Sequence, residues 1–310
     1  MNQINGIEDF LIIKPSIVTI GTFDGVHLGH QKILSKLVSE GKESKLETIV
    51  LTFFPHPRKI LNPSIQLSLL NTQTEKIELF KSSGIDNLIT QKFNKDFSEY
   101  SAEKYVQKIL VNKLKTKKIL IGYDHRFGKN RDAGIKELKT LGVKYNFDVI
   151  EISAKEKNNI SISSTKIRNA LFNGKLNIAN SYLGYDYKIT GKVIKGNSIG
   201  RKIGYPTANL QVFDKDKLIP KRGVYLVYTK LENKVIHGMM NIGIKPTIKN
   251  KEESIEVHLF EWKKNIYDKS IDIFLKKFIR EEKKFKSLDE LSDQLKIDKE
   301  NCLIMLNEKQ

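Results

Sequence analysis

The stretch Gly21-Thr22-Phe23-Asp24-Gly25-Val26-His27-Leu28-Gly29-His30 constrains this chain more than any other. It follows an apolar run, Ile17 to Ile20, that reads as a buried strand. It precedes Gln31 to Glu40, where Ile33, Leu34, Leu37 and Val38 recur at helical spacing. A strand, a glycine-rich turn and a helix start therefore meet in one short segment, a layout suited to holding phosphate. Gly21, Gly25 and Gly29 allow positive φ and let a ligand come close to the backbone. The helix amino terminus adds unpaired N–H donors and partial positive charge. The spacing of His27 and His30 puts both on one side of a helical turn. Two imidazoles there suit a polyphosphate, because each donates a hydrogen bond and stabilises charge developing on phosphorus. An H-x-x-H pair can equally be half of a metal site or two surface histidines. No compact His/Cys/Asp set completes a zinc site, however, and the chain has a single cysteine.

At 310 residues the chain can bury one large core or two ordinary ones, and its length favours two domains. A hydrophobic content of 39% with scattered charge is that of a soluble globular protein. Met1 to Asp9 lacks a basic start and an apolar core, so no secretory leader is expected. No apolar run approaches membrane-spanning length, so no membrane partner is expected. Cys302 alone cannot form a disulfide within the chain, which fits a cytoplasmic location. The net charge of +18 can mean phosphate neutralisation on a nucleic acid or attraction of anionic nucleotides to a cleft. It can also be lysine drift, since lysines are spread along the chain and no aromatic–basic RNA-binding pattern accompanies them. Drift with nucleotide attraction ranks first, and no specific nucleic-acid partner is expected. The sequence says nothing about oligomeric state.

In chain order, Glu47 to Phe54 is a second strand-like run, ended by Pro55-His56-Pro57-Arg58, whose prolines stop strand and helix alike and hold an extended turn. Thr74 to Phe80 reads as helix and Asp86 to Phe93 as strand. Ser98 to Leu114 is the longest helical pattern, and Lys118 to Gly122 is a strand. Lys136 to Leu141 reads as helix and Phe147 to Ile152 as strand. Such alternation implies a parallel, doubly wound sheet of Rossmann-like type, with ligands at the carboxyl ends of its strands. The opening turn and Tyr123-Asp124-His125-Arg126-Phe127-Gly128 both occupy that position. Around Gly184 the helical periodicity fades. Lys188 to Ile194, Val224 to Thr229, Val235 to Ile242, Ser254 to Phe260 and Ile271 to Leu275 follow as short strands, with a final helical stretch from Ser287 to Leu306. That pattern implies a small antiparallel β-barrel with a carboxyl-terminal helix. The expected domains are 1–184 and 185–310.

Ile162-Ser163-Ser164-Thr165-Lys166-Ile167-Arg168 opens a helical run, where serine and threonine are natural N-cap residues. A functional reading adds that Arg168 lies one turn past Ser164, so hydroxyl and guanidinium can both donate to a triphosphate. In the second half, Gly196-Asn197-Ser198-Ile199-Gly200-Arg201 precedes Gly204-Tyr205-Pro206-Thr207-Ala208-Asn209. In an extended segment Thr207 and Asn209 project to one side, offering hard oxygens to Mg²⁺, although a proline-marked turn before an edge strand explains the same residues. Ile255, Val257 and Leu259 alternate with Glu256 and His258. Glu256 is then either a solvated carboxylate or a general base for a hydroxyl attacking a phosphorus.

The glycine-rich turn with H-x-G-H and the I-S-S-T-x-I-R string, in that order, resemble the two signatures of the nucleotidyltransferase superfamily, in the form carried by bacterial bifunctional riboflavin kinase/FAD synthetases. The second half carries G-x-x-x-G-R, P-T-A-N, Gly223-Val224-Tyr225, Asn241-Ile242-Gly243 with Pro246-Thr247, and Glu256-Val257-His258-Leu259 in riboflavin kinase order. Tyr267 to Phe285 looks like that family's closing segment, so the resemblance spans nearly the whole chain. It implies phosphorylation of riboflavin to FMN by the barrel and adenylylation of FMN to FAD, with release of pyrophosphate, by the first domain. ATP is the implied co-substrate and Mg²⁺ the implied cofactor. It assigns transition-state contacts to His27 and His30, and triphosphate contacts to Ser163, Ser164, Thr165 and Arg168. Further nucleotide or phosphate contacts fall to Gly21, Thr22, Phe23, Asp24, Gly29, Gly200 and Arg201. Asp124 and Phe127 belong to the flavin or nucleotide pocket, Thr207 and Asn209 hold Mg²⁺–nucleotide, and Glu256 activates the riboflavin 5′-hydroxyl. Where this chain has His125, the family more often has phenylalanine. Two rivals remain: a nucleotidyltransferase for another phosphorylated acceptor, and a basic nucleic-acid-binding protein.

Overall fold

Every residue from Ser16 to Ile20 is buried, as in a strand of a parallel sheet covered on both faces. The computed structural model describes residues 1–8, 10, 12–122, 125–152, 162–196, 199–246 and 251–307. The chain divides into two compact units, Met1–Ser164 and Thr165–Gln310.

The first unit runs β1 (Asn2–Asn5), β2 (Ser16–Ile20), α1 (Leu28–Ser44), β3 (Glu47–Phe54), α2 (Pro57–Leu61) and α3 (Gln73–Lys81). It continues with β4 (Asn87–Lys92), α4 (Lys95–Ser98), α5 (Ala102–Tyr105), β5 (Thr116–Gly122), α6 (Ile135–Tyr145) and β6 (Asp148–Ile152). The strands form one parallel sheet in the order β1-β4-β3-β2-β5-β6. Alternate side chains feed two cores. Ile17, Val50, Leu88 and Leu120 pack with Ile33, Leu34 and Leu37 of α1 and Phe80 of α3. Val18, Ile49, Ile89 and Ile119 pack with Val106, Leu110 and Leu138. From β2 the chain winds outward through β3 and β4, then returns to place β5 on the other side of β2. The crevice at the carboxyl ends of β2 and β5 is therefore the topological switch point.

In the second unit α7 (Ser164–Phe172) begins at the junction, and α8 (Leu176–Leu183) ends on Gly184 in the left-handed conformation, φ 78°. Then come β7 (Tyr187–Ile194), α9 (Ile199–Lys202), β8 (Ala208–Gln211), β9 (Gly223–Leu231), β10 (Lys234–Pro246), β11 (Lys251–Leu259), β12 (Ser270–Arg280) and α10 (Leu288–Asn307). The strands close an antiparallel barrel in the order β10-β11-β8-β7-β12-β9. Glu232 and Asn233, both at positive φ (49° and 61°), make the tight turn joining β9 to β10. Cys302 of α10 packs against Val224, Leu226 and Met239 on one face of the barrel wall. A bidentate ion pair from Arg280 of β12 to Asp298 of α10 adds to this, with N–O distances of 2.8 and 2.6 Å.

The parallel sheet, the barrel and the closing helix are as the sequence pattern implies, while several details differ. Ser98 to Leu114 is not one helix: α4 stops at Ser98, Ser101 caps a new start through the Lys104 N–H, and α5 runs into a π-helix at Val106–Lys113. Among the described residues the longest helix is α10, at 20 residues. Pro57 does not hold an extended turn but opens α2, with His56 as its cap, because a missing N–H is harmless in the first helical turn.

Candidate active sites

The turn after β2 places its left-handed residues where glycine counting does not. Of Gly21, Gly25 and Gly29, only Gly25 has positive φ (88°); Phe23 (49°) and Val26 (33°) share that region. A β-branched residue there is an outlier that only its surroundings can hold. Both are buried, at 3% and 2% exposure, and the Val26 N–H donates to the Phe23 carbonyl at 3.1 Å. Gly21 and Gly29 supply room instead. A Cβ on Gly21 would lie 3.2 Å from the Phe23 ring, and one on Gly29 3.2 Å from the His27 ring.

His27 caps α1 rather than lying within it, its Nδ1 accepting from the His30 N–H at 3.4 Å. The two imidazoles nevertheless stack, centroids 3.7 Å apart and 15° from coplanar. The Phe23 ring meets the His30 ring at a steep angle at 5.1 Å. His27 is buried and His30 half-buried, at the amino terminus of a helix whose first-turn donors lack intrahelical partners. The Gly21 N–H donates to the Leu51 carbonyl of β3 at 3.1 Å, tying the turn to the neighbouring strand.

Buried Asp24 accepts at Oδ1 from the Leu70 N–H at 2.9 Å, and its carbonyl accepts from the Ser164 hydroxyl at 2.8 Å. The second signature therefore reaches the first turn through Ser164. Ser163 is half-buried beside it, while Thr165 is exposed and Arg168 is buried (8%) further along α7. Asp124 lies outside the described residues. Phe127 is a buried core ring, 5.9 Å from Tyr105 and stacked at 6.0 Å on His125.

Sequence reasoning missed Lys76 of α3, which is buried beneath this turn. Its Nζ donates to the Thr22 carbonyl and the Thr52 hydroxyl, each at 3.3 Å. Burial lowers its ammonium from the ordinary value to about 8, against the opposing pull of Asp24. The available signal was position: Lys76 stands one turn before buried Phe80, on the inward stripe of α3.

The barrel brings a second set together. Asn209 of β8 pairs with Glu256 of β11, which pairs in turn with Asn241 of β10. Paired residues share a face of the sheet, so the three form one row across adjacent strands. The Thr207 hydroxyl donates to Glu256 Oε2 at 3.4 Å. Gly196 fits because it has no side chain: a Cβ there would fall 2.0 Å from Asn209 Nδ2. Gly200 likewise lies against the Tyr205 carbonyl, where a Cβ would come within 2.2 Å, and its own carbonyl accepts from the Tyr205 N–H at 2.8 Å. The two glycines thus fold the G-x-x-x-G segment onto the P-T-A-N segment, while Arg201 is exposed. Asn241 is a second residue the sequence reading left without a role. His258 is buried between Tyr205 and Phe260, its Nδ1 2.8 Å from the Pro206 carbonyl. Burial holds its pKa below the usual histidine range, although the Pro206 contact pulls the other way. That environment belongs to a packing residue.

Comparison with known proteins follows the same division. A family profile described as FAD synthetase matches residues 11–166, and one described as riboflavin kinase matches 183–306. A protein of Buchnera aphidicola subsp. Schizaphis graminum called bifunctional riboflavin kinase/FMN adenylyltransferase is 45% identical over 304 residues, 96% of each chain. One of the same name from Escherichia coli (strain K12) is 35% identical over 280 residues, 90% of this chain and 89% of the relative. A crystal structure of a Streptococcus pneumoniae chain described as a macrolide-efflux protein matches with a TM-score of 0.88 at 30% identity, covering 97% of this chain and 98% of that one. Among the described residues here, no helix is long and apolar enough to cross a membrane.

Proposed function

The chain belongs to the family of bifunctional riboflavin kinase/FMN adenylyltransferases, and from that premise we propose how its residues divide the work. The protein phosphorylates riboflavin to FMN and adenylylates FMN to FAD, using ATP in both steps. The observation that carries the division is that the FAD synthetase profile covers the parallel-sheet unit and the riboflavin kinase profile the barrel. As a functional boundary we place residues 1–184 with adenylyl transfer and 185–310 with the kinase.

In the sheet unit, a phosphate oxygen of FMN attacks the α-phosphorus of ATP. The bond from that phosphorus to the bridging oxygen breaks, and pyrophosphate leaves. No covalent intermediate on the protein is needed, so catalysis rests on positioning and charge stabilisation. The stacked His27 and His30 supply donors at the start of α1. Ser163, Ser164, Thr165 and Arg168 are the candidate triphosphate contacts, and the bond from the Ser164 hydroxyl to the Asp24 carbonyl supports the assignment of Ser164.

In the barrel, Glu256 takes the proton from the riboflavin 5′-hydroxyl as that oxygen attacks the γ-phosphorus of ATP and ADP leaves. Thr207 and Asn209 are the candidate Mg²⁺ contacts. Their neutral oxygens beside one carboxylate suit an ion held mostly by nucleotide phosphates and water. Among the described residues no group of three or more His, Cys, Asp or Glu could hold a metal ion by itself. When bound, the ion neutralises phosphate charge. A cytoplasmic location with no specific nucleic-acid partner completes the proposal.

The test is to incubate the purified chain with riboflavin, ATP and Mg²⁺ and separate the flavins. FMN and then FAD are expected; absence of both would overturn the reading.

A further inference from the structure

The left-handed residue Phe23 sits between two anchored carbonyls. On its far side the Asp24 carbonyl takes the Ser164 hydroxyl at 2.8 Å. On its near side the Thr22 carbonyl takes Lys76 Nζ and the Thr52 hydroxyl, each at 3.3 Å. Between those anchors the Phe23 ring is wedged edge-on between Phe80, at 5.5 Å, and His30, at 5.1 Å, and His30 stacks on His27. Lys76 is itself rigidly placed. A capping box of Thr72 and Glu75 starts α3 in the turn before it, and the Lys76 N–H donates to the Thr72 carbonyl at 3.0 Å. The charged group facing its ammonium from the turn is Asp24. A buried lysine costs stability when protonated, so a chain selected only for packing has an apolar residue there.

We propose that the Lys76 ammonium is a positioning residue for adenylyl transfer: by holding the Thr22 carbonyl and facing Asp24, it keeps Phe23 left-handed and the His30 ring against His27. It touches no reacting atom and acts through the turn. The inference rests on the reading of His27 and His30 as the adenylyl-transfer groups.

Proton loss from Lys76 therefore separates activity from stability. Its folded value, about 8, lies below the ordinary 10.5, so between those two the unfolded chain binds more protons, and the Lys76 contribution to stability improves as pH rises. Activity moves the other way, because the neutral amine no longer attracts the Asp24 carboxylate.

The experiment follows FMN adenylylation and riboflavin phosphorylation in the parent, K76M, K76Q and H27A. In the parent, kcat for adenylylation is expected to fall as pH rises from about 7 to about 9 without a matching loss of melting temperature. K76M, which keeps length and removes charge, is expected to lower that kcat by about tenfold to a hundredfold with less change in KM, the effect of a small misplacement. Its kinase activity stays at the parent level, and its adenylylation loses the alkaline fall. K76Q, with a neutral donor, covers the case in which K76M does not fold and is expected to show the same flat profile. Parent-like kcat in both variants, or a parent profile flat over that range, overturns the role of Lys76. If H27A keeps adenylylation, the histidine reading and the Lys76 inference fall together. If H27A loses it and K76M does not, only the Lys76 inference falls.

Discussion

His27 and His30 stack with ring centroids 3.7 Å apart although only one of them lies in the helix. His27 precedes α1 as its cap, and His30 reaches back over it. Donors from a cap and from a first turn therefore converge where helical N–H groups point outward.

If these rings supply the transition-state contacts, H27A and H30A should each lower FMN adenylylation by about a hundredfold to a thousandfold, the usual effect of removing one preorganised donor. Riboflavin phosphorylation should survive in both. H27A should also cost about 0.5–1 kcal/mol through loss of the cap, at the low end because a 3.4 Å bond is long. Measuring both half-reactions and the melting curve of each variant checks this. Equal loss of both activities in a folded variant would mean one shared site.

Gly196 offers a test of space alone, because its backbone is not left-handed. In G196A the new methyl would fall 2.0 Å from Asn209 Nδ2, so the amide must leave its place in the row with Glu256. Riboflavin phosphorylation should fall at least about tenfold and need more Mg²⁺ to saturate, the scale of losing an oriented contact. FAD formation from supplied FMN should be unaffected. A Mg²⁺ titration of both activities decides it, and parent-like kinase behaviour would free Asn209 from the role.

Both candidate clusters could be proposed from the sequence for one shared reason. H-x-G-H and P-T-A-N are contiguous strings, whereas Glu256 meets Thr207 and Asn209 only through the pairing of β8 with β11. The strands β2, β3 and β5 announce themselves because burial on both faces leaves short runs rich in apolar residues. What depended on distant partners stayed hidden. The edge strand Asn2–Asn5 is too polar to read, and its existence depends on pairing with Asn87–Thr90. Phe23 and Val26 carry no mark of positive φ, which anchors elsewhere impose. Lys76 reads as a solvated charge until Thr22, Thr52 and Asp24 close around it. Asn241 joins Glu256 only through the register of β10 with β11.

The Arg280–Asp298 pair ties α10 to the barrel, and Asp298 is fully buried, also accepting from Gln294 at 3.0 Å. D298A leaves a mostly buried guanidinium without its carboxylate and should cost about 3–5 kcal/mol, whereas an apolar R280M/D298L pair should cost less than D298A alone. Denaturant melts of the three chains give the comparison. A double variant as unstable as D298A would mean the pair contributes more than mutual neutralisation.

Glu256 stands between Asn209 and Asn241 with the Thr207 hydroxyl 3.4 Å from its carboxylate, while the flanking Ile255 and Val257 are buried. Its side chain is thus held on the polar row, and the carboxylate is half-buried rather than packed. E256Q keeps the size and the hydrogen-bonding reach but removes the proton acceptor. If Glu256 is the base, riboflavin phosphorylation should fall by about a hundredfold to ten-thousandfold, the span of positioned acid–base catalysis. Supplied FMN should still become FAD, because that chemistry rests on His27 and His30. Stability should barely move, since the substitution keeps the side chain's size and its hydrogen-bonding reach. Kinase activity within about threefold of the parent is too small a change for loss of a general base, and would return Glu256 to the role of a carboxylate that only orients Thr207.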